Sequence, residues 1–230
     1  PGRGALTELL CRNAALVTAV EIDKDLIPVL NVVMNGYENF RLLQADILKT
    51  DIAAIAEDNP EGGAFRVIAN LPYYITTPVI TMLLEKSLPI ESITVMVQKE
   101  VAVRMAAAPG SKECGAISLA VQYYAEMSTE IEVPPECFSP RPRVSSCVIN
   151  LIRRKTPPVE VRDEKLMFSL IRASFNQRRK TLANALSSQI AGLRREDVEK
   201  ALSACGLDVR IRGEVLSIEQ FAQLTDEIFQ

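Results

Sequence analysis

Residues Asn70-Leu71-Pro72-Tyr73-Tyr74 bring an amide, a backbone carbonyl and an aromatic face into one short turn. They follow the apolar run Phe65-Arg66-Val67-Ile68-Ala69, which reads as a buried strand. Pro72 fixes its own φ and biases Leu71 toward an extended conformation, so the Leu71 carbonyl is expected to project away from the strand ladder. Asn70 and that carbonyl could accept the two N–H bonds of an exocyclic amine on a planar base, with the Tyr73 ring stacked on its face. Tyr74 is expected to point the other way, into the core. A strand ending in a proline turn is the commoner origin of such a tetrapeptide, so its chemistry depends on what stands nearby.

Two acidic residues stand at the ends of other apolar runs. Leu16–Val20 ends at Glu21-Ile22-Asp23, and Arg41–Ala45 ends at Asp46. In open α/β sheets ligands bind outside the carboxyl ends of the strands, where Glu21, Asp46 and Asn70 should converge. Pro1-Gly2-Arg3-Gly4 opens the chain with half a glycine loop, followed by a short helical stretch but preceded by no strand. Such a loop lets bare backbone N–H groups approach a ligand closely. Glu21 lies seventeen residues past Gly4, placed to bind the two hydroxyls of a ribose. The missing strand leads to the expectation that an N-terminal segment has been lost, with the glycine loop displaced and cofactor binding weakened.

The composition limits the chemistry. The 230 residues contain no histidine, which excludes His-based acid–base catalysis, Ser-His-Asp triads and His-ligated metals. Five cysteines are scattered and never form a C-x-x-C pair, so reduced thiols in a cytoplasm are expected, without a disulfide framework or metal site. Hydrophobic residues make up 48% and charged residues 24%, the balance of a globular protein with a real core. No apolar stretch is long enough to cross a bilayer, and no signal peptide is recognisable. The net charge of −3 hides an asymmetry: Ser139–Arg195 carries thirteen Arg or Lys against Glu160, Asp163 and Glu164. That surplus suggests a polyanion-binding face.

Strand and helix patterns alternate through the first half. Helical periods cover Asp25–Met34 (with Pro28 in the first turn), Thr77–Glu85 and Glu100–Ala108, and Ile93–Val97 reads as a strand. This alternation predicts a mostly parallel sheet covered on both faces. Beyond Ala116 the order changes to a helix over Ile117–Tyr124 and strands over Ser128–Val133 and Val144–Ile152. The strands form an antiparallel edge hairpin whose proline-rich connection, Pro134–Arg143, carries Phe138. Lys155-Thr156-Pro157-Pro158 reads as a linker to helices over Asp163–Phe175, Arg178–Ser188, Arg195–Cys205 and Ser217–Ile228. The predicted organisation is therefore a catalytic domain over 1–156 and an all-α domain over 157–230.

With these pieces assembled, the chain resembles the rRNA adenine N6-dimethyltransferase family over its whole length. The resemblance is carried by Pro1–Thr7, Glu21-Ile22-Asp23, Asn70–Pro78, Phe138–Val144 and Phe175-Asn176-Gln177-Arg178-Arg179-Lys180-Thr181-Leu182. The last of these, with Leu216–Phe221, looks most like the branch that dimethylates two adjacent adenines near the 3′ end of 16S rRNA. The resemblance implies a class I (Rossmann-like) fold with a small helical C-terminal domain, and S-adenosyl-L-methionine as methyl donor. It assigns Gly2, Gly4, Leu6, Glu21, Ile22, Asp46, Ile47 and Asn70 to the cofactor, with Glu21 on the ribose and Asp46 on the cofactor's adenine amine. The target adenine falls to Asn70, Leu71, Pro72, Tyr73 and Phe138, and RNA contacts to Arg141, Arg143, Arg178, Arg179 and Lys180. The implied partner is 16S rRNA in an immature small subunit, acted on by a cytoplasmic monomer without metal. Alternatives are a resistance-type enzyme acting on 23S rRNA and a non-catalytic ribosome-assembly or RNA-binding factor.

Overall fold

Short β-branched runs and amphipathic helical periods alternate in the sequence, and the backbone follows them in order. In the computed structural model, residues 1–59 and 62–229 are described. They group into two compact units, Pro1–Met96 and Val97–Gln230.

The first unit holds α1 (Ala5–Cys11), β1 (Val17–Glu21), α2 (Ile27–Val33), β2 (Phe40–Gln44), α3 (Ile52–Glu57), β3 (Phe65–Asn70) and α4 (Tyr73–Glu85). It also holds most of β4 (Ile90–Gln98). β1 pairs in parallel with β2, Glu21 lying opposite Gln44, and β3 pairs in parallel with β4, Asn70 lying opposite Met96. Among the described residues these are separate ladders, β3 being hydrogen-bonded to β4 alone. The core is built mainly by α4 and β4. Val79, Ile80, Leu83 and Leu84 are buried on one side of α4, and Ile90, Ile93 and Val95 alternate inward along β4. α4 begins at Tyr73, four residues earlier than the periodicity predicts, because Pro72 supplies an extended N-cap (φ −55°, ψ 136°). α3 was missed by periodicity; its signal is Asp51, whose carboxylate caps the N–H groups of Ala53 and Ala54.

β3 corrects the expectation of a buried strand. Its residues alternate between half-buried and exposed, Ile68 is 40% exposed, and Arg66 forms a surface pair with Glu91 at 2.8 Å. A strand bonded on one side only, with a charged residue pointing to water, does not become enclosed.

The second unit contains α5 (Lys99–Met105), α6 (Ala116–Tyr124), β5 (Ala125–Val133) and β6 (Ser146–Arg153). These are followed by α7 (Glu164–Asn176), α8 (Leu182–Gln189), α9 (Arg195–Ala204) and α10 (Ile218–Ile228). β5 and β6 form the expected antiparallel hairpin, with a bulge between Thr129 and Ile131. The helices bury continuous apolar faces: Met167, Phe168, Leu170 and Ile171 on α7, and Ile218, Phe221 and Leu224 on α10. Asp163 caps α7 through the Leu166 N–H, and Ser217 and Gln220 form a capping box on α10. α8 starts at Leu182, not Arg178. Residues 177–181 form a turn instead, closed by the Lys180 N–H donating to the Gln177 carbonyl at 2.8 Å.

Tyr123, Tyr124 and Phe168 form an aromatic cluster with centroid separations of 4.9–5.3 Å. Both tyrosine hydroxyls donate to Glu164, Tyr124 at 2.6 Å and Tyr123 at 3.2 Å. The helical segment beyond the predicted linker is thereby fastened to α6.

Candidate functional site

In the first unit the turn after β3 leaves acceptors open. Asn70 is the exposed last residue of β3, and its amide has no hydrogen-bond partner among the described residues. The Pro72 carbonyl is occupied, accepting from the Ile75 N–H at 3.1 Å and from the buried Thr76 hydroxyl at 3.1 Å. The Leu71 carbonyl accepts no bond among the described residues. This division follows from Pro72: the helix starts just after it, so its own carbonyl enters the first turn while its neighbour's does not. Tyr73 is half-buried at the start of α4. Tyr74 corrects the expectation of a core position. It is 83% exposed, because successive helical residues diverge by about 100° and the buried side of α4 is taken by Thr76, Val79 and Ile80.

Glu21 and the glycine loop meet. The Glu21 carboxylate is 9% exposed; its Oε2 accepts from the Gly2 N–H at 3.3 Å and its Oε1 from the Asp23 N–H at 2.9 Å. The loop therefore sits against the acidic strand end and is not displaced from it. Gly4 (φ 94°) is the N-cap of α1, and a Cβ there would lie 3.2 Å from Val33 Cγ1. Both the backbone angle and the close packing on α2 call for glycine. Asp46 lies two residues past β2 and beside Glu21, since the Ala45 N–H donates to the Glu21 carbonyl at 2.9 Å. Its Oδ1 accepts from the Leu48 N–H at 3.0 Å, holding the turn that contains Ile47. Leu6 and Ile22 are exposed, at 40% and 67%, while Ile47 is half-buried. The cluster thus offers a carboxylate, a second acidic turn and apolar surface. That donor set fits a nucleoside bearing a cationic tail.

In the second unit Phe138 is half-buried in the β5–β6 connection, directly after a 3-10 turn at Pro135–Cys137. Two contacts that the sequence did not reveal hold the base of this loop. Lys99 Nζ meets Glu132 at 2.8 Å, and the Lys99 N–H donates to the Ser145 carbonyl at 2.9 Å. The available signal was a lysine directly after the last strand residue, Gln98. Arg141 pairs with Glu136 across the loop, whereas Arg143 is exposed and without a partner among the described residues.

The basic segment is less uniform than its composition suggests. Arg154 pairs with Glu126 at 2.8 Å, Arg194 with Asp197 at 2.8 Å, Arg195 with Glu199 at 2.7 Å and Arg178 with Glu214 at 3.1 Å. Arg179 and Lys180 are exposed and carry no ion pair among the described residues. Exposed pairs such as these are worth about 0–1 kcal/mol each. No group of acidic, Cys or His residues among those described could hold a metal ion, and no helix is long and apolar enough to span a membrane.

Comparison with known proteins gives the family and the fold. A family model described as ribosomal RNA adenine dimethylase matches residues 1–230. Curated relatives called ribosomal RNA small subunit methyltransferase A include one from Lachnoclostridium phytofermentans, 54% identical over 99% of this chain and 79% of its own length. Another, from Alkaliphilus metalliredigens, is 46% identical over the same shares. Among solved structures, a dimethyladenosine transferase from Plasmodium falciparum has a TM-score of 0.72 at 22% identity, covering 96% of this chain and 85% of that one. The 23S rRNA methyltransferase ErmE has a TM-score of 0.64 at 26% identity, covering 100% and 88%. The fold is the Rossmann-like fold of rRNA methyltransferases, and the chain belongs to the ribosomal RNA adenine dimethylase family.

Proposed function

We propose that the protein transfers methyl groups from S-adenosyl-L-methionine to N6 of two adjacent adenines near the 3′ end of 16S rRNA, in an immature small subunit. The observation that carries the reading is the pair of open acceptors, the Asn70 amide oxygen and the Leu71 carbonyl, on one rigid turn beside Tyr73. The names of the relatives at 46–54% identity favour the small-subunit substrate.

S-adenosyl-L-methionine supplies an electrophilic methyl on a sulfonium. Glu21 accepts the ribose hydroxyls, its second lone pairs being spare after the bonds from Gly2 and Asp23. Asp46 accepts the adenine amine of the cofactor, with Ile22 and Ile47 beside its ring, and Gly2, Gly4 and Leu6 border its methionine portion. The N6 lone pair of the target adenine is delocalised into its ring, which makes it a poor nucleophile. Hydrogen bonds from N6 to Asn70 and the Leu71 carbonyl orient the amine and favour a more tetrahedral nitrogen. Tyr73 stacks on the extruded base, offsetting about 1–3 kcal/mol of the unstacking cost. The proton leaves after methyl transfer, so the absence of histidine is no obstacle.

Labelled-methyl transfer to immature small subunits, run against large subunits, tests the assignment. Label in small-subunit rRNA as dimethyladenine is expected. Label only in large-subunit rRNA would move the protein to the resistance-type activity, and no transfer by the full-length protein would favour a non-catalytic assembly factor.

A further inference from the structure

The basic turn Gln177–Lys180 contains three cations with different surroundings. Arg178 is exposed but turns its guanidinium back onto the protein. Its Nε–H donates to Glu214 Oε2 at 3.1 Å, its Nη2–H donates to the Lys112 carbonyl at 3.0 Å, and its Cζ lies 5.8 Å from the Phe175 ring centroid. These groups come from three places: the loop between α5 and α6, the end of α7, and a 3-10 turn at Gly213–Val215.

Each of those places is itself fixed. The Gly110 N–H donates to the Glu214 carbonyl at 2.8 Å, which closes the α5–α6 loop on the 3-10 turn. Gly213 packs so tightly on α7 that a Cβ would lie 2.4 Å from Ser174 Cβ. The far end of the basic turn is held by the Leu182 N–H, which donates to the Ile211 carbonyl at 2.7 Å. Arg178 thus bridges segments that are themselves hydrogen-bonded or closely packed, and the planar guanidinium suits it because one fork reaches a carboxylate and a carbonyl together. The side chains of Arg179 and Lys180, the next two residues, make no hydrogen bond or ion pair among the described residues.

We infer that Arg178 is a positioning residue and not a phosphate ligand: it anchors the turn from which Arg179 and Lys180 reach the RNA. The inference rests on the proposed rRNA substrate but divides the basic tract into one structural and two binding cations. Glu214 then belongs to RNA recognition despite its negative charge, because removing it loosens the turn.

The test uses the full-length protein with Arg178→Lys, Arg178→Ala, Glu214→Ala, Arg179→Ala and Lys180→Ala. It measures methyl-transfer kinetics on immature small subunits and the salt dependence of binding. Arg179→Ala and Lys180→Ala should each lower the slope of log K against log salt by about one unit, as expected for a lost phosphate contact. Arg178→Lys, Arg178→Ala and Glu214→Ala should keep the slope and raise KM about three- to tenfold with kcat unchanged, the scale of one lost hydrogen-bonded contact. The inference is overturned if Arg178→Lys matches the unaltered protein while Arg178→Ala loses a unit of slope, or if Glu214→Ala tightens binding. Lysine keeps the charge but not the fork, so it separates the two roles even if alanine at 178 fails to fold. If the unaltered protein methylates no small-subunit RNA, the proposed function fails, while the salt slopes still decide the role of Arg178.

Discussion

The turn after β3 and the turn before α8 are both short, polar and proposed to meet RNA, but they treat their polar groups in opposite ways. Asn70 and the Leu71 carbonyl have no partners among the described residues, while Arg178 is bonded to two other segments and packed over a ring. Open acceptors on a proline-stiffened backbone can bind an amine without first breaking a bond. An exposed cation already bonded to two other segments would have to give up those two hydrogen bonds to reach a phosphate. Function in the first turn therefore resides in the residue itself, and in the second it passes to the neighbours that the residue holds in place.

Replacing Asn70 should show the largest effect. Asn70→Ala is expected to lower kcat by about 10²–10³, the usual cost of one preorganised hydrogen-bonding group at a reacting centre. Because Asn70 is exposed and has no partner among the described residues, stability should change by less than about 0.5 kcal/mol. A variant that retained a tenth of the rate, or that unfolded early, would break the contrast drawn here.

Glu21→Ala comes next. Hydrogen bonds to charged groups are worth about 1.5–3 kcal/mol, so affinity for S-adenosyl-L-methionine should fall at least about tenfold by calorimetry on the full-length protein. The Gly2 and Asp23 N–H groups lose their shared acceptor at the same time.

Gly213→Ala addresses the second region, where the fold itself carries the strain. A Cβ 2.4 Å from Ser174 Cβ forces backbone to move, at a cost of about 1–3 kcal/mol in denaturant unfolding. An unchanged midpoint would show that the junction around Arg178 is looser than its contacts suggest.

The smallest effect expected is a pH dependence. Burial, reinforced by the Glu164 carboxylate, pushes the Tyr123 hydroxyl from its ordinary 10.0 up to about 12. The folded state thus favours the neutral phenol. Its stabilising contribution is complete below pH 10, declines as the unfolded chain ionises first between pH 10 and 12, and is gone above that. Tyr123→Phe should therefore lose stability less steeply than its parent above pH 10, by about 1 kcal/mol at pH 11. Parallel unfolding curves would mean that the phenol is not confined as the structure has it.

Much of this was legible in the sequence, and the exceptions share a cause. The strand ends at Glu21 and Asn70, the hairpin with Phe138 and the four C-terminal helices follow from periodicity, caps and proline placement. β3 was misread because five apolar or neutral residues look the same whether a strand has one neighbour or two; only Arg66 hinted at an open side. Tyr74 does point away from Tyr73, but into solvent, because in a helix the next residue turns by about 100° and the buried side belongs to Thr76, Val79 and Ile80. The helix predicted from Arg178 begins at Leu182 because the turn is held by distant groups, Glu214, Lys112 and Ile211, which no local window contains. Charge counting failed for the same reason, since it could not show which arginines would be met by carboxylates.

The loop that carries Phe138 also carries an optical handle. Cys137 is exposed, whereas Cys11, Cys114 and Cys147 are buried and Cys205 is partly covered, and burial pushes those four thiols up, away from the reactive thiolate. A maleimide at neutral pH should therefore label position 137 first. With no tryptophan in the sequence, a dye there loses no emission to that residue. Its emission would follow, nucleotide by nucleotide, the arrival of a base beside the neighbouring ring.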